Sequence, residues 1–354
     1  MSGRKRCKRS RGHLIPIDHN KISILDINIA PFLSPLRSRV DAIQHGFHLK
    51  FPDEYLWFYA FCCSVNPDDP LRAFEQVTDL HLVGPFELLH SELAFPIEPG
   101  KFALCYRYFH DPPEFVTLLK GPDYCHIGCW RDSPEELPSA IVFSNAAENG
   151  HMDLIAPNLF SALKVLLDRK LVAGQELLNK LEIFARKHQI PITVSESAIR
   201  ARLHTCVCPT LNGIGLRINL RESGLGYRPL SVSNSKLSSI LQHVVGADTD
   251  ENRLSKLEAV DELVTFAQFA CDEGDFGQSL ELGLSMLAFH PKDLPLEKAN
   301  VLNSRISCLL GVGYRLAGRY EFSDVIQAHM NARRTDPMTM PTDLFSPGLL
   351  ITDR

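Results

Sequence analysis

Five short runs of apolar and aromatic residues between positions 80 and 145 constrain the fold of this chain most strongly. Short runs rich in apolar and aromatic residues suit β-strands. Proline, glycine, aspartate or asparagine bounds each run, and these residues favour turns. The pattern predicts a meandering antiparallel sheet with strands at 80–83, 102–108, 115–119, 126–130 and 140–143.

Apolar residues at helical spacing dominate the chain on both sides of this segment. A helix is predicted from 36 to 47, and a second opens at 51–55, where proline and two acids mark a helix start. One further strand or hairpin is predicted at 213–218. Later helices are predicted near 159–167, 177–184, 233–244, 251–271, 277–289, 296–316 and 320–331.

The length of 354 residues exceeds what most single hydrophobic cores support, so two domains are expected. The predicted fold class is α+β. Residues 35–157 would form an antiparallel sheet flanked by helices, and 158–335 a mostly helical domain with the short strand or hairpin. Residues 1–34 are expected to be a disordered basic tail and 336–354 a flexible tail.

Charge divides the chain into a basic tail and an acidic body. Residues 1–13 contain six lysines and arginines and no acid, so the formal net charge of −5 leaves −11 on the rest. The tail suits nuclear import or a nucleic-acid contact, and an unspecific tail is the open alternative. The body would attract basic partners such as histone tails. No apolar run reaches the roughly 18 residues that a membrane helix needs, and no secretory signal is expected.

Motifs for metal or nucleotide chemistry are missing from the sequence. The ten cysteines include no CxxC pair, so we expect free thiols in a reducing compartment and no metal site. There is no GxGxxG, GxxxxGK[ST], HExxH or GxSxG sequence. Two glycine pairs, 213/215 and 224/226, are expected to form tight turns. A self-sufficient enzyme is therefore not the favoured interpretation.

An acidic turn at 271–277 separates two of the predicted helices. It carries Asp272, Glu273 and Asp275, and carboxylates at the C-terminal end of a helix face its negative pole. Local electrostatics disfavour acids there, which is one reason to suspect a function for them. Taken alone, the stretch still fits a solvated turn better than a functional site.

Five motifs together resemble the histone PARylation factor family, the accessory proteins of DNA-damage-responsive poly(ADP-ribose) polymerases. They occur in the family's order and at compatible spacing, and the resemblance covers roughly residues 35 to 335. The matching stretches are 82–85 (LVGP), 111–115 (DPPEF), 131–135 (RDSPE), 226–228 (GYR) and 266–273 (FAQFACDE).

The resemblance implies a protein that is not an enzyme by itself. Members dock on the polymerase catalytic domain and complete a composite active site that directs ADP-ribose to serine, including serines of histones. Glu273 matches the family's catalytic glutamate, a general base. Asp272 and Arg228 match positions needed for docking, and Tyr227 and Phe269 match positions beside that interface. NAD is held by the polymerase, so this chain alone is expected to bind no cofactor.

The resemblance also implies a nuclear protein that acts on chromatin at DNA damage and is a monomer when free. The chain departs from relatives in carrying Gly274 and Phe276 where they have cysteine and tyrosine. Only Cys7 and His13 are available for an N-terminal finger, so none is expected. Direct contact with DNA stays open.

Two other functions fit parts of the sequence. A non-catalytic histone or chromatin adaptor would use the acidic surface without chemistry. A self-sufficient hydrolase would use Asp272, Glu273 and Asp275, for example on a glycosidic bond.

Overall fold

A five-stranded antiparallel sheet occupies the middle of the chain. The structure is a computed structural model that describes residues 29–91, 99–194 and 201–335. Consecutive strands are hydrogen-bonded neighbours, so the sheet is a simple meander and the α+β prediction is confirmed. The strands are β1 (His81–Leu82), β2 (Phe115–Lys120), β3 (Cys125–Trp130), β4 (Ala140–Asn145) and β5 (Met152–Ala156).

Four of the five predicted strand runs are strands in the structure. The run at 102–108 is wrong: Pro99–Leu104 is a short helix, and Tyr106 in the turn after it has a φ of +45°. Proline at the first helical position suits a helix start, and that signal was missed. The fifth strand is Met152–Ala156, in which exposed Asp153 interrupts the apolar residues.

Helices before and after the sheet pack against it to form one apolar cluster. Asp53–Val65 buries most of its residues, and the rings of Phe58 and Phe160 meet edge to face at 5.2 Å. Because this cluster continues into the two helices after the sheet, those helices join the sheet's core. The helices are α1 (Ile29–Phe47), α2 (Asp53–Val65), α3 (Glu75–Thr78), α4 (Pro85–His90), α5 (Pro99–Leu104), α6 (Leu159–Arg169) and α7 (Leu171–Lys187).

The first helix begins seven residues earlier than predicted, at Ile29 rather than at residue 36, so 29–34 are not part of a disordered tail. The other residues of the two predicted tails, 1–28 and 336–354, lie outside the described residues. The division of the chain into two domains stays a prediction.

A second apolar cluster holds the last five long helices together. At its centre lies Gly277–Leu287, in which every residue is buried. The neighbouring helices contact this one and each other. A 3₁₀ helix, Leu296–Leu302, precedes the fourth of the set. These helices are α8 (Asn234–Val245), α9 (Asp250–Asp272), α10 (Gly277–Leu287), α11 (Asn303–Leu316) and α12 (Tyr320–Thr335).

The strand or hairpin predicted at 213–218 is reduced to a turn closed by a single bridge, and no continuous strand is formed. Cys208 and Leu216 make one isolated antiparallel bridge. Gly213 and Gly215 have φ values of +82° and +77°, which turn the chain at each glycine and prevent a continuous strand. The tight turn expected here is therefore present, and the strand is replaced by an irregular loop that leads to residues 224–230.

Side chains connect the sheet to the helical part. Tyr314 of α11 donates its hydroxyl hydrogen bond to both carboxylate oxygens of Glu114, at 2.9 and 2.8 Å. Arg319 donates to the Arg217 carbonyl at 2.8 Å, and the Arg217 side chain donates to Asp132, just after β3, at 2.9 Å. Among the described residues no helix has the length and apolarity to cross a membrane.

Candidate functional site

The acidic turn is a well-defined helix terminus. The Gly274 N–H donates to the Cys271 carbonyl at 3.0 Å, and the Asp275 N–H donates to the Ala270 carbonyl at 2.7 Å. This pair of bonds is the Schellman arrangement, which requires a left-handed residue, and Gly274 has a φ of +98°. The two helices predicted on either side of the acidic turn are confirmed. The backbone of the turn places Glu273 at the C-terminal end of α9.

A loop at 224–230 lies directly against this turn. The Gly277 N–H at the start of α10 donates to the Gly226 carbonyl at 2.8 Å. The Gln278 side chain donates to the Pro229 carbonyl at 2.7 Å. Because α10 is the most buried helix of the cluster, its first turn gives the loop a fixed support. The Gly–Tyr–Arg stretch singled out in the sequence is thereby brought beside the acidic turn, some 45 residues further along the chain.

Arg228 forms ion pairs with two carboxylates of the turn. Its Nη2 donates to Glu273 Oε2 and lies 3.1 Å from Asp275 Oδ2. The Arg228 side chain is 48% exposed and that of Glu273 is 59% exposed, so water screens the pair. The hydrogen bond and charge of Glu273 raise the pKa of Arg228 above its usual value. Sequence reasoning assigned Arg228 to docking, and the structure also places it on the predicted base.

Tyr227 points into the protein rather than toward solvent. Its ring packs against the second apolar cluster, and its hydroxyl donates to Glu281 Oε2 at 3.0 Å. Burial raises the pKa of Tyr227 and also that of the Glu281 carboxyl. These contacts anchor the loop. Tyr227 therefore supports the position of its exposed neighbour Arg228.

Phe269 and Asp272 lie on the outer face of α9. Phe269 is 58% exposed, and Asp272 is exposed with no hydrogen bond or ion pair recorded in the part of the chain that the structure describes. The opposite face of the helix is buried at Leu263, Ala267 and Ala270. An exposed phenylalanine outside the buried stripe is not needed for the core of this protein.

Sequence reasoning missed one neighbour of this surface. Phe266 is 47% exposed and stands one helical turn before Phe269, so the two rings share a face. The signal for it was available in the sequence, because both phenylalanines fall outside the spacing of the buried residues. Together they form an apolar strip that ends at Asp272 and Glu273.

No group of three or more histidine, cysteine, aspartate or glutamate side chains in the described ranges could hold a metal ion. The cysteines described there are free. The ionisable groups exposed at the turn are the carboxylates of Asp272 and Glu273, and a carboxylate can accept a proton or pair with a cation.

These features define an α+β protein with an exposed acidic turn held by a loop arginine. The sequence model described as "Histone PARylation factor 1" matches residues 38–333. The chain belongs to this family, which confirms the resemblance seen in its motifs.

Curated relatives cover nearly the whole chain. The Mus musculus protein named histone PARylation factor 1 is 30% identical over 332 residues, 90% of this chain and 91% of that protein. The Danio rerio protein of the same name is 29% identical over 308 residues, 84% of this chain and 86% of its own. A Homo sapiens protein named putative histone PARylation factor 1-like is 27% identical over 310 residues, 83% of this chain and 86% of its own.

Proposed function

We propose that this chain docks on the catalytic domain of a poly(ADP-ribose) polymerase and completes a composite active site for serine ADP-ribosylation of histones. The work would take place in the nucleus, in response to DNA damage. Support comes from family membership over residues 38–333 and from relatives that are named as factors rather than as enzymes. The structural observation that carries the proposal is the exposed Glu273 carboxylate, held by Arg228 at the end of an apolar strip.

Glu273 is the general base in this proposal. A serine hydroxyl is protonated at neutral pH and attacks poorly unless a positioned group removes its proton. Glu273 takes that proton while the serine oxygen bonds to the ribose carbon of NAD and the bond to nicotinamide breaks. The polymerase holds the NAD, so this chain contributes one catalytic residue in trans and binds no cofactor alone.

The neighbouring residues have docking roles. Asp272 has no partner among the described residues and offers its carboxylate to a cationic group of the polymerase. Phe269 offers exposed aromatic surface, and aromatic side chains contribute strongly to interface energies. Arg228 uses Nη2 within the chain, and neither its Nε nor its Nη1 has a hydrogen bond recorded among the described residues. Those donors suit a planar acceptor on the partner, a contact that lysine would not copy.

The experiment combines the purified chain with a DNA-activated polymerase, NAD and histone, and maps the type of residue modified. Glu273→Gln should dock normally and lower serine labelling by about 100-fold or more, the range for loss of a general base. Arg228→Ala should raise the dissociation constant for docking, so that labelling at a fixed factor concentration falls together with docking. Glu258→Gln is the matched control, because it removes one exposed negative charge from helix α9, away from the turn.

Normal serine labelling by Glu273→Gln would contradict the assignment of the base. If, in addition, charge reversals elsewhere on the acidic surface abolished histone binding, the chain would be a non-catalytic histone adaptor. Turnover of an ADP-ribosylated substrate by the chain alone would instead indicate a hydrolase.

A further inference from the structure

Asp275 differs from the other two carboxylates of the turn in being buried. Its side chain is 8% exposed, compared with 59% for Glu273. It follows left-handed Gly274, and its backbone N–H is bound to the Ala270 carbonyl. The backbone of the helix terminus therefore turns this one carboxylate inward, toward the loop at 224–230.

Both oxygens of Asp275 are bound to that loop. Oδ1 accepts a hydrogen bond from the Gly226 N–H at 3.0 Å, and Oδ2 lies 3.1 Å from Arg228 Nη2. A buried carboxylate is costly unless hydrogen bonds and an opposite charge compensate it. Here one residue fixes both the backbone of the loop and the guanidinium that the loop carries.

The same guanidinium nitrogen reaches Glu273. Arg228 Nη2 contacts Oδ2 of the buried Asp275 on one side and Oε2 of the exposed Glu273 on the other. The three side chains form a series in which Asp275 holds Arg228 and Arg228 holds Glu273. Long exposed side chains such as Arg228 and Glu273 are otherwise free to adopt several rotamers, and the buried end of the series restricts them.

We propose that Asp275 is a positioning residue: by holding Arg228, it sets the position of the Glu273 carboxylate for proton transfer. The inference rests on the proposed function, because it concerns how the base is aimed. Asp275 does not touch the reacting atoms in this scheme. Its contribution depends on its charge, since a neutral side chain of the same shape would still accept from Gly226 but would release Arg228.

Asp275→Asn tests this directly, because asparagine retains the shape and one acceptor and loses the charge. We expect the serine-labelling rate at saturating factor to fall about tenfold, since small displacements of a catalytic group are costly. The dissociation constant for docking should rise as well, because the released Arg228 is also a docking residue, so the variant and the wild type are compared with docking saturated. Glu258→Gln is the matched charge-loss control. A saturating rate within about twofold of wild type would overturn the proposal.

A double variant shows whether Asp275 acts through Arg228. With the factor concentration raised until docking is saturated, Arg228→Gln/Asp275→Asn should label serine at the rate of Arg228→Gln, within about twofold. If the double variant instead shows the product of the two single-variant rate reductions, Asp275 acts by another route and the proposal is wrong.

Asp275→Glu separates charge from shape, and it also decides the matter if the asparagine variant does not fold. It keeps the negative charge beside Arg228 with one extra methylene. We expect a folded protein, checked by its melting curve, with at least about a third of the wild-type rate at saturation. A folded and docked Asp275→Glu variant below that rate contradicts the proposal.

Failure of this inference can be told from failure of the proposed function. If Glu273→Gln is inactive and Asp275→Asn is fully active, only the role of Asp275 is wrong. If Glu273→Gln labels serine normally, the base assignment fails whatever the Asp275 variants do.

Discussion

Two groups of carboxylates, one beside the sheet and one at the end of α9, have opposite surroundings. Asp111, Glu114 and Asp132 are buried near the sheet. Asp272 and Glu273 are exposed at the turn. Both groups belong to motifs that carry the family resemblance, so sequence similarity alone does not distinguish them.

The buried group is fully occupied by partners within the protein. Asp111 Oδ2 accepts from the Tyr108 N–H at 2.8 Å, and its Oδ1 lies 3.0 Å from His126 Nε2. Asp132 accepts from Arg202 through both oxygens, at 2.8 and 2.7 Å, and from Trp130. Carboxylates that are buried and bound in this way belong to the framework of the fold and offer a substrate no accessible oxygen.

The exposed group is accessible. The Glu273 carboxylate pairs with Arg228, and Asp272 has no partner among the described residues. The comparison indicates that the motifs with buried carboxylates maintain the framework, whereas the acidic turn is available for function. Three measurements test this contrast, in order of decreasing effect.

Removal of a carboxylate should cost far more stability in the buried group. Asp132→Ala leaves the nearly buried Arg202 without its carboxylate partner, and breaking such a pair typically costs about 3–5 kcal/mol of unfolding free energy. Glu273→Ala removes a pair that water screens and should cost far less. Urea unfolding of both variants measures the difference. Similar losses would show that the turn is also a structural element.

Stability near the sheet should depend on pH through His110. Its ring contacts the Leu287 carbonyl at 2.9 Å and His290 Nδ1 at 3.1 Å, and burial lowers the pKa of His110 to about 3. Below pH 6.5 the unfolded chain binds a proton that the folded chain excludes. The contribution of His110 is therefore complete above pH 6.5 and is lost as the pH falls toward 3, by at most about 1.4 kcal/mol per pH unit.

His110→Gln is the variant that isolates this dependence, because glutamine keeps a donor and an acceptor but does not titrate. Its unfolding free energy, measured from pH 7 to pH 4, should change less steeply than that of the wild type. Parallel curves would rule out His110 as the source.

The smallest effect concerns the backbone of the turn. Gly274→Ala places a side chain at a φ of +98°, a conformation that only glycine adopts easily, and should cost about 1 kcal/mol. Gly100→Ala is the control: that residue lies in helix α5 with open space around it, so alanine should be neutral or raise stability by roughly 0.5–1 kcal/mol. Chemical unfolding of the two variants gives both values. Equal stability of Gly274→Ala and wild type would mean that the turn tolerates another backbone conformation.

Most helices and strands were predictable because their signals are local. Residue spacing indicated α9 and α10 to within two residues at each end, and a threonine that accepts the Asn252 N–H marks where α9 begins. The run at 102–108 failed because an apolar run of that length is compatible with either a helix or a strand. The strand Met152–Ala156 was missed because exposed Asp153 breaks its apolar pattern.

The sequence by itself determined the helix–turn–helix, its three carboxylates and membership of the family, since each depends on residues close together in the chain or on motifs in order. Only the tertiary structure decided which of those carboxylates is buried and which are exposed. The packing of the 224–230 loop on α10 brings Arg228 to the turn, buries Asp275 and leaves Glu273 exposed. Burial and charge pairing between distant segments arise from packing, and no local pattern of residues encodes them.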